Sequence, residues 1–370
     1  MGYARVVRVC RREDFPSRPC AISMRAHKAA KVTVSAMTPH DATAAVPPQV
    51  RGSLPDADQR APYLLARRPQ TPRVLPAPPV VRDLGRIGTS ATTGSGPLAA
   101  CGACLFLATG SKGDILVVDP ARPRGPHRVL GRHGAHVTAL VLSGGVLLSA
   151  GCDGLLVGRA VSGNDRLAAV LGSHSAGITC ALAGPDGRLV TAGHDGQVFA
   201  RRPGGLEVLA THPGGVEAVA VLDSGDVVTA GRDGRLLHRR GTGAEVVELR
   251  QRRRELTVAM ATPGGGCLMT ASGQRGVVRL WDDLRDGGWP EELGVHGSWV
   301  LALVALDADH VAAVGGDHVT VWDLTTGNAA PIGLRPGLHV TSAVALPTGD
   351  LAVAGTDPRV EVLPAHRLTA

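Results

Sequence analysis

The sequence predicts an all-β protein, a seven-bladed β-propeller of four-stranded antiparallel blades preceded by a disordered N-terminal tail. Three observations lead to this fold. A short motif recurs about every 41 residues, each repeat divides into four short apolar segments separated by turn residues, and no long stretch has a helical apolar period. A repeat of this length cannot bury its own apolar faces, so it must stack against its neighbours.

The recurring motif is an apolar run that ends in a small residue, then Gly or a near equivalent, and usually Asp. One copy is TAGHD at 191–195, and the next is TAGRD at 229–233. Equivalent positions fall at 110, 151, 193, 231, 272, 315 and 355, so the steps are 41, 42, 38, 41, 43 and 40 residues. Residues 86 to 370 number 285, and one seventh of 285 is close to 41. Seven blades therefore account for this part of the chain.

The third repeat shows the internal pattern of a blade. Its apolar segments lie at 179–182, 188–192, 197–200 and 206–210. They are separated by PDG at 185–187, DG at 195–196 and PGG at 203–205, which are residues that favour tight turns. Four short strands joined in this way predict one antiparallel sheet.

The first 78 residues differ in kind from the repeats. They contain many Pro, Ala, Arg and Ser residues and no sustained apolar period. Such a segment cannot bury enough apolar surface to offset its ordering entropy. We therefore expect a disordered, basic tail at 1–78 and a propeller domain at 79–370.

The charge of the chain resides in this tail. Residues 1–75 contain 11 Arg and 2 Lys against 4 Asp and 1 Glu, a balance of +8, whereas the whole chain carries +7, so the remainder is near −1. Basic charge dispersed over a tail, rather than clustered on a folded face, argues against nucleic acid as the partner. The 3 Lys against 36 Arg are typical of a GC-rich genome and suggest a bacterial source.

Composition and motifs also bear on compartment and chemistry. Seven cysteines, an odd number, argue against a disulfide framework and predict a reducing, cytoplasmic location. The sequence contains no run of eighteen apolar residues, so we expect no membrane-spanning segment. The CGAC segment at 101–104 lacks the second pair that a zinc site needs, and the common catalytic motifs are absent. We therefore expect no metal, no cofactor and no catalytic residue.

Two features make the sequence resemble the WD-repeat propeller family. The Trp-Asp ending stands at 281–282 and 322–323, and a His precedes the start of an innermost strand by four residues in four repeats. In that family such a His, a second-strand Ser or Thr, the turn Asp and the Trp bond to one another. The resemblance therefore implies four structural networks: His133, Ser149 and Asp153; His174, Thr191 and Asp195; His212, Thr229 and Asp233; and His296, Asp317 and Trp322.

The resemblance also implies how the ring closes. RDLGRIG at 82–88 matches RVLGRHG at 128–134 at five of seven positions, so it predicts an outer strand leading into the first full blade. In WD-repeat proteins the last blade takes its outer strand from the N-terminal end of the domain. We expect a strand near 80–84 to fill that place, which would remove the open sheet edges.

A candidate partner-binding mouth follows from the same resemblance, at the narrow end of the ring around the channel. His194 and Arg232 occupy the variable position before the turn Asp. His136, Trp299 and His339 each directly precede an innermost strand. Trp and Arg are frequent anchors of protein interfaces.

Two functions are compatible with these observations. The resemblance favours a non-catalytic scaffold that presents a rigid propeller surface to a protein or peptide partner. The alternative is a propeller enzyme, lactonase-like or lyase-like, with His and Asp at the channel as metal ligands or as acid and base. Three or more His, Asp or Glu side chains converging within the channel would favour the enzyme, and a mouth that is uncharged or dominated by Arg and Trp would favour the scaffold.

Overall fold

The structure is a computed structural model that describes most of the chain from Arg82 onward. The described residues are 82–86, 95–101, 104–109, 113–118, 128–143, 145–161, 168–202, 205–241, 243, 245–251, 255–264, 266–284, 287–355 and 359–368. The predicted tail at 1–78 lies outside them. Among the described residues, no helix is long and apolar enough to cross a membrane.

The all-β prediction is confirmed, because the described strands form seven four-stranded antiparallel sheets. The innermost strands of blades 1 to 7 are β2 (Ser95–Cys101), β6 (Val137–Ser143), β10 (Ile178–Ala183), β14 (Val216–Val221), β18 (Thr257–Gly264), β22 (Ala302–Ala305) and β26 (Val340–Ala345). The second strands are β3 (Cys104–Thr109), β7 (Val146–Gly151), β11 (Leu189–Gly193), β15 (Val227–Gly231), β19 (Cys267–Ser272), β23 (His310–Gly315) and β27 (Leu351–Gly355).

The outer half of each blade follows the same order. The third strands are β4 (Asp114–Val118), β8 (Leu155–Ala160), β12 (Gln197–Arg202), β16 (Leu236–Arg239), β20 (Val277–Trp281), β24 (His318–Asp323) and β28 (Arg359–Leu363). The outermost strands are β5 (Arg128–Arg132), β9 (Ala168–Ser173), β13 (Gly205–Thr211), β17 (Val246–Glu248), β21 (Glu291–Val295) and β25 (Ala329–Gly333), with β1 (Arg82–Arg86) in blade 7. A short helix, α1 (Ala365–Leu368), follows β28.

The blades are arranged in a closed ring. Each innermost strand packs against that of the next blade, in the order β2, β6, β10, β14, β18, β22, β26 and back to β2. Six apolar clusters of buried side chains cover all seven seams between adjacent blades, and the largest extends over blades 3, 4 and 5. Burial between blades is therefore the main source of apolar stabilisation.

Blade 7 is completed by a strand from the N-terminal side of the domain. β1 pairs antiparallel with β28, with Arg82 opposite Val362 and Asp83 opposite Glu361. The last blade thus combines the two ends of the domain in one sheet, and the outer edge of β28 is covered.

Most innermost strands contain a β-bulge directly after their first residue. In blade 3 the pairing passes from Ile178 to Cys180, and in blade 4 it passes from Val216 to Ala218. The skipped residues, Thr179 and Glu217, therefore leave the regular ladder. A bulge redirects a side chain at the end of a strand, here at the end of the ring where the innermost strands begin.

We predict that β1 is needed for a cooperative fold. Deleting residues 82–86 uncovers the outer edge of β28, so we expect a lower melting temperature, a broader transition and aggregation. The matched control is a chain that begins at Arg73, which keeps β1. Equal melting curves for both variants, measured by circular dichroism, would show that β1 contributes nothing to closure.

Candidate functional site

Three of the four expected networks are present as hydrogen-bonded sets in blades 2, 3 and 4. His174 Nδ1 lies 3.0 Å from Asp195 Oδ1, and its Nε2 lies 2.9 Å from the Thr191 hydroxyl. The other two sets have the same geometry: His133 with Asp153 and Ser149, and His212 with Asp233 and Thr229. In each set the Nδ1–H donates to the carboxylate, and Nε2 is hydrogen-bonded to the hydroxyl.

The Asp of each network also fixes the turn between the second and third strands. Asp195 accepts hydrogen bonds from the Gln197 and Ser175 backbone N–H groups, at 3.1 and 3.0 Å. Burial raises the pKa of Asp195, but the hydrogen bonds from His174 and from the backbone outweigh it, so the pKa lies below its usual range. This carboxylate is therefore an ionised structural group.

Blade 2 has Arg159 at the position where blade 5 has Trp281. Trp281 Nε1 donates to the Thr270 hydroxyl at 3.1 Å in blade 5. In blade 2, Arg159 Nη1 donates to the Ser149 hydroxyl at 2.8 Å, and its Nη2 donates to the Arg132 carbonyl of blade 1 at 3.1 Å. The guanidinium thus replaces the indole N–H and also connects two blades.

The fourth expected network, in blade 6, is not formed. The Asp317 carboxylate is 87% exposed and pairs with His318 rather than His296. His296 instead bonds to the Thr320 hydroxyl through Nδ1, at 2.8 Å, and Trp322 Nε1 has no hydrogen-bond partner among the described residues. The expectation for His296, Asp317 and Trp322 was wrong on this point.

Two local differences in sequence explain this rearrangement. Four residues separate Val314 from its partner Val319, whereas five separate Ala192 from Val198, so the blade 6 turn is one residue shorter and carries Asp317 outward. Ala313 also replaces the second-strand hydroxyl. Thr320 lies directly opposite Ala313 on β24 and supplies the hydroxyl from the neighbouring strand.

Of the candidate mouth residues, His194 and Arg232 come together, at the seam between blades 3 and 4. The backbone N–H of His194 donates to the Gly177 carbonyl at 2.9 Å, and that of Arg232 donates to the Gly215 carbonyl at 3.0 Å. Each acceptor directly precedes the innermost strand of the same blade. Gly215 has φ +113°, and a Cβ there would lie only 3.4 Å from the His194 Cα. Glycine therefore permits the close approach of the two blades.

Glu217 belongs to the same cluster, although the sequence analysis did not single it out. It lies on the bulge of β14 and forms an ion pair with the partly exposed Arg232. Burial raises the pKa of Glu217, and the positive charge of Arg232 acts against this increase. The pKa of His194 is lowered, mainly by burial and to a smaller extent by the charge of Arg232. A buried acid beside a partly buried base, with pKa values shifted in opposite directions, is typical of functional sites.

One sequence signal could have identified Glu217. The same bulge position holds Thr138, Thr179 and Thr341 in three other blades. A carboxylate in a row of hydroxyl-bearing residues stands out once the repeats are aligned.

The other three candidate mouth residues lie on separate blades. His136 is partly buried on blade 2, and His339 is exposed on blade 7. Trp299 is half-buried on blade 6, where it packs against the apolar cluster that includes Leu301 and Leu338. Its side chain therefore contributes to core packing as well as to the surface.

Within the part of the chain that the structure describes, no group of three or more His, Cys, Asp or Glu side chains is arranged to hold a metal ion. The charged groups at the mouth are Arg232 and Glu217, which form a pair. In chemical terms, this cluster can bind a ligand through a guanidinium held by a buried carboxylate.

We predict unequal costs for removing two turn aspartates. Asp195→Ala leaves the buried His174 ring without its acceptor, so we expect a loss of about 1–3 kcal/mol in the free energy of unfolding. Asp317→Ala removes an exposed carboxylate and should cost less than about 0.5 kcal/mol. Urea denaturation measures both. Similar losses would show that the buried networks are not the source of the difference.

We also predict a pH dependence that arises from His296. Burial, aided by His318, lowers the pKa of His296 from 6.5 to about 4 in the folded protein. Between these values the unfolded chain binds more protons, so the free energy of unfolding should fall by about 3 kcal/mol as the pH drops from 6.5 to 4. His296→Gln should lose this component, whereas His339→Gln, at an exposed position, should keep it. Parallel pH profiles for the two variants would contradict the assignment.

Comparisons with known proteins agree with this architecture. Residues 165–199 match the family profile described as WD domain, G-beta repeat. The WD40 beta propeller domain of Doa1 is similar in structure, with a TM-score of 0.63 and 17% identity over 76% of this chain and 96% of that one. The computationally designed Ika8 protein has a TM-score of 0.54 and 20% identity over 74% of this chain and 98% of its own.

A comparison with curated proteins finds no match to this sequence. Both structural likenesses are below 25% identity, so they show the fold alone. The matched segment contains the His174, Thr191 and Asp195 network, so one repeat of this chain is similar to the WD-repeat profile and the whole ring is similar in fold to solved propellers.

Proposed function

We propose that this protein is a non-catalytic interaction scaffold whose ring mouth binds a protein or peptide partner. The observation that carries the proposal is the cluster of His194, Glu217 and Arg232 at the seam between blades 3 and 4. A propeller of the WD-repeat type typically presents such a surface on a rigid frame, and function then depends on the side chains at that surface.

The rigidity of the cluster supports a binding role. Glu217 is buried on a bulge and fixes the guanidinium of Arg232, whose side chain is partly exposed. An Arg held in one orientation loses little side-chain entropy when a partner binds. Hydrogen-bonded turns anchored by Asp195 and Asp233 fix the backbone on either side.

The test is to capture the partner with the full chain and to measure its affinity for variants at the mouth. We expect His194→Ala and Arg232→Ala each to weaken binding about fivefold, equivalent to about 1 kcal/mol. Arg232→Ala leaves the Glu217 carboxylate buried and unpaired, so this variant alone does not distinguish a lost partner contact from a loss of stability. The double variant Arg232→Ala/Glu217→Ala removes both charges and separates lost contacts from lost stability.

The matched control is Trp289→Ala, because Trp289 is 55% exposed and precedes the outermost strand β21. We expect it to leave affinity unchanged. A partner that ignores the mouth variants but loses affinity with Trp289→Ala would place the binding surface on the outer rim and overturn the proposal.

A further inference from the structure

A buried arginine lies at the other end of the seam between blades 3 and 4. Arg188 directly precedes β11, and its side chain is 2% exposed. Its Nε and Nη2 atoms have no hydrogen-bond acceptor among the described residues. Asp186 Oδ1 lies 3.5 Å from Nε, which is an ion-pair contact rather than a hydrogen bond. A buried guanidinium with unsatisfied donors is costly, so it requires an explanation.

The Arg188 side chain of blade 3 extends toward blade 4, and the Arg239 side chain of blade 4 extends toward blade 3. A Cβ placed on Gly225, in the turn between β14 and β15, would lie 3.6 Å from Arg188 Nη2. From β16, Arg239 donates to the carbonyls of Val208 and Leu209 on β13, at 3.0 and 3.2 Å, and pairs with Glu207. The donors of Arg239 are thus largely used in joining the blades.

Arg202 is the third arginine of this cluster. It ends β12, its side chain is 37% exposed, and its Nη2 lies 3.6 Å from Asp186 Oδ2. Its buried Nε atom has no acceptor among the described residues. Both Asp186 contacts are therefore too long to satisfy the guanidinium donors of Arg188 and Arg202.

The charges of the cluster do not balance. Burial lowers the pKa of Arg188. The Asp186 and Glu207 carboxylates act against this, whereas the Arg202 and Arg239 guanidinium groups lower it further. Three guanidinium groups against two carboxylates leave one positive charge. Asp186, Arg202 and Glu207 are partly exposed and form the solvent side of the cluster, whereas Arg188 lies buried behind them.

We propose that this cluster binds a carboxylate group, held by the free donors of Arg188 and Arg202. A single carboxylate balances the excess charge, and its planar oxygens match the forked donors of a guanidinium. The turn before β11 and the turn after it lie at opposite ends of that strand, so this site is separate from the ring mouth. The inference therefore does not depend on the proposed function.

The test compares the melting temperature of the full chain in sodium acetate and in sodium chloride at equal ionic strength. At about ten times the dissociation constant, acetate should raise the melting temperature by about 2–4 °C over chloride. Arg188→Met and Arg202→Met should lose this difference. Arg201→Met, which removes the adjacent arginine on the opposite face of β12, should keep it. Arg202→Met tests the site even where Arg188→Met fails to fold.

A second arm distinguishes the source of the carboxylate. An end-capped tripeptide with a central Glu is compared with its Gln counterpart. A selective effect of the Glu peptide that Arg202→Met abolishes assigns the site to acidic side chains of a partner, and an effect of acetate alone assigns it to a free carboxylate. Equal melting temperatures in acetate and chloride, or a shift that persists in both Arg variants, would overturn the proposal.

Discussion

The packing of neighbouring blades is the interaction on which the rest of this structure depends. Each four-stranded sheet has two faces, and the six apolar clusters show that both are buried only against adjacent sheets. One consequence is that the seam between blades 7 and 1 must also be packed with apolar side chains. The pairing of β1 with β28 completes blade 7, and buried side chains of blade 7, such as Val360, belong to the same apolar cluster as Leu116 of blade 1. Stability is therefore a property of the closed ring.

Polar networks act within this apolar frame by fixing individual turns. The His174, Thr191 and Asp195 set shows the common arrangement, in which one carboxylate serves both a buried ring and the turn backbone. The blades differ in how they satisfy the same groups. Arg159 replaces an indole donor in blade 2, and Thr320 supplies the missing hydroxyl in blade 6. The constraint is thus the satisfaction of buried donors and acceptors, and several side chains can meet it.

The seam between blades 3 and 4 carries a charged cluster at each end. At the mouth, Glu217 and Arg232 are paired with each other. At the opposite end, Arg188 and Arg202 retain unsatisfied donors around Asp186. Both clusters are held by a backbone that the apolar core between them makes rigid. The groups that we propose to bind partners thus lie at the two ends of the seam, on either side of its apolar core.

The sequence alone determined the fold, because a period near 41 residues and turn residues at regular spacing depend only on local chemistry and on the need to bury apolar faces. It also identified His174, Thr191 and Asp195 as a set. It could not determine the outcome in blade 6, where one fewer turn residue moved Asp317 into solvent and a cross-strand register brought Thr320 to His296. Nothing in the sequence pattern pointed to Arg188, and Glu217 stands out only once the repeats are aligned. Their roles depend on a bulge and on contacts across a seam, and only the tertiary structure brings residues from different blades to within a few ångströms of each other.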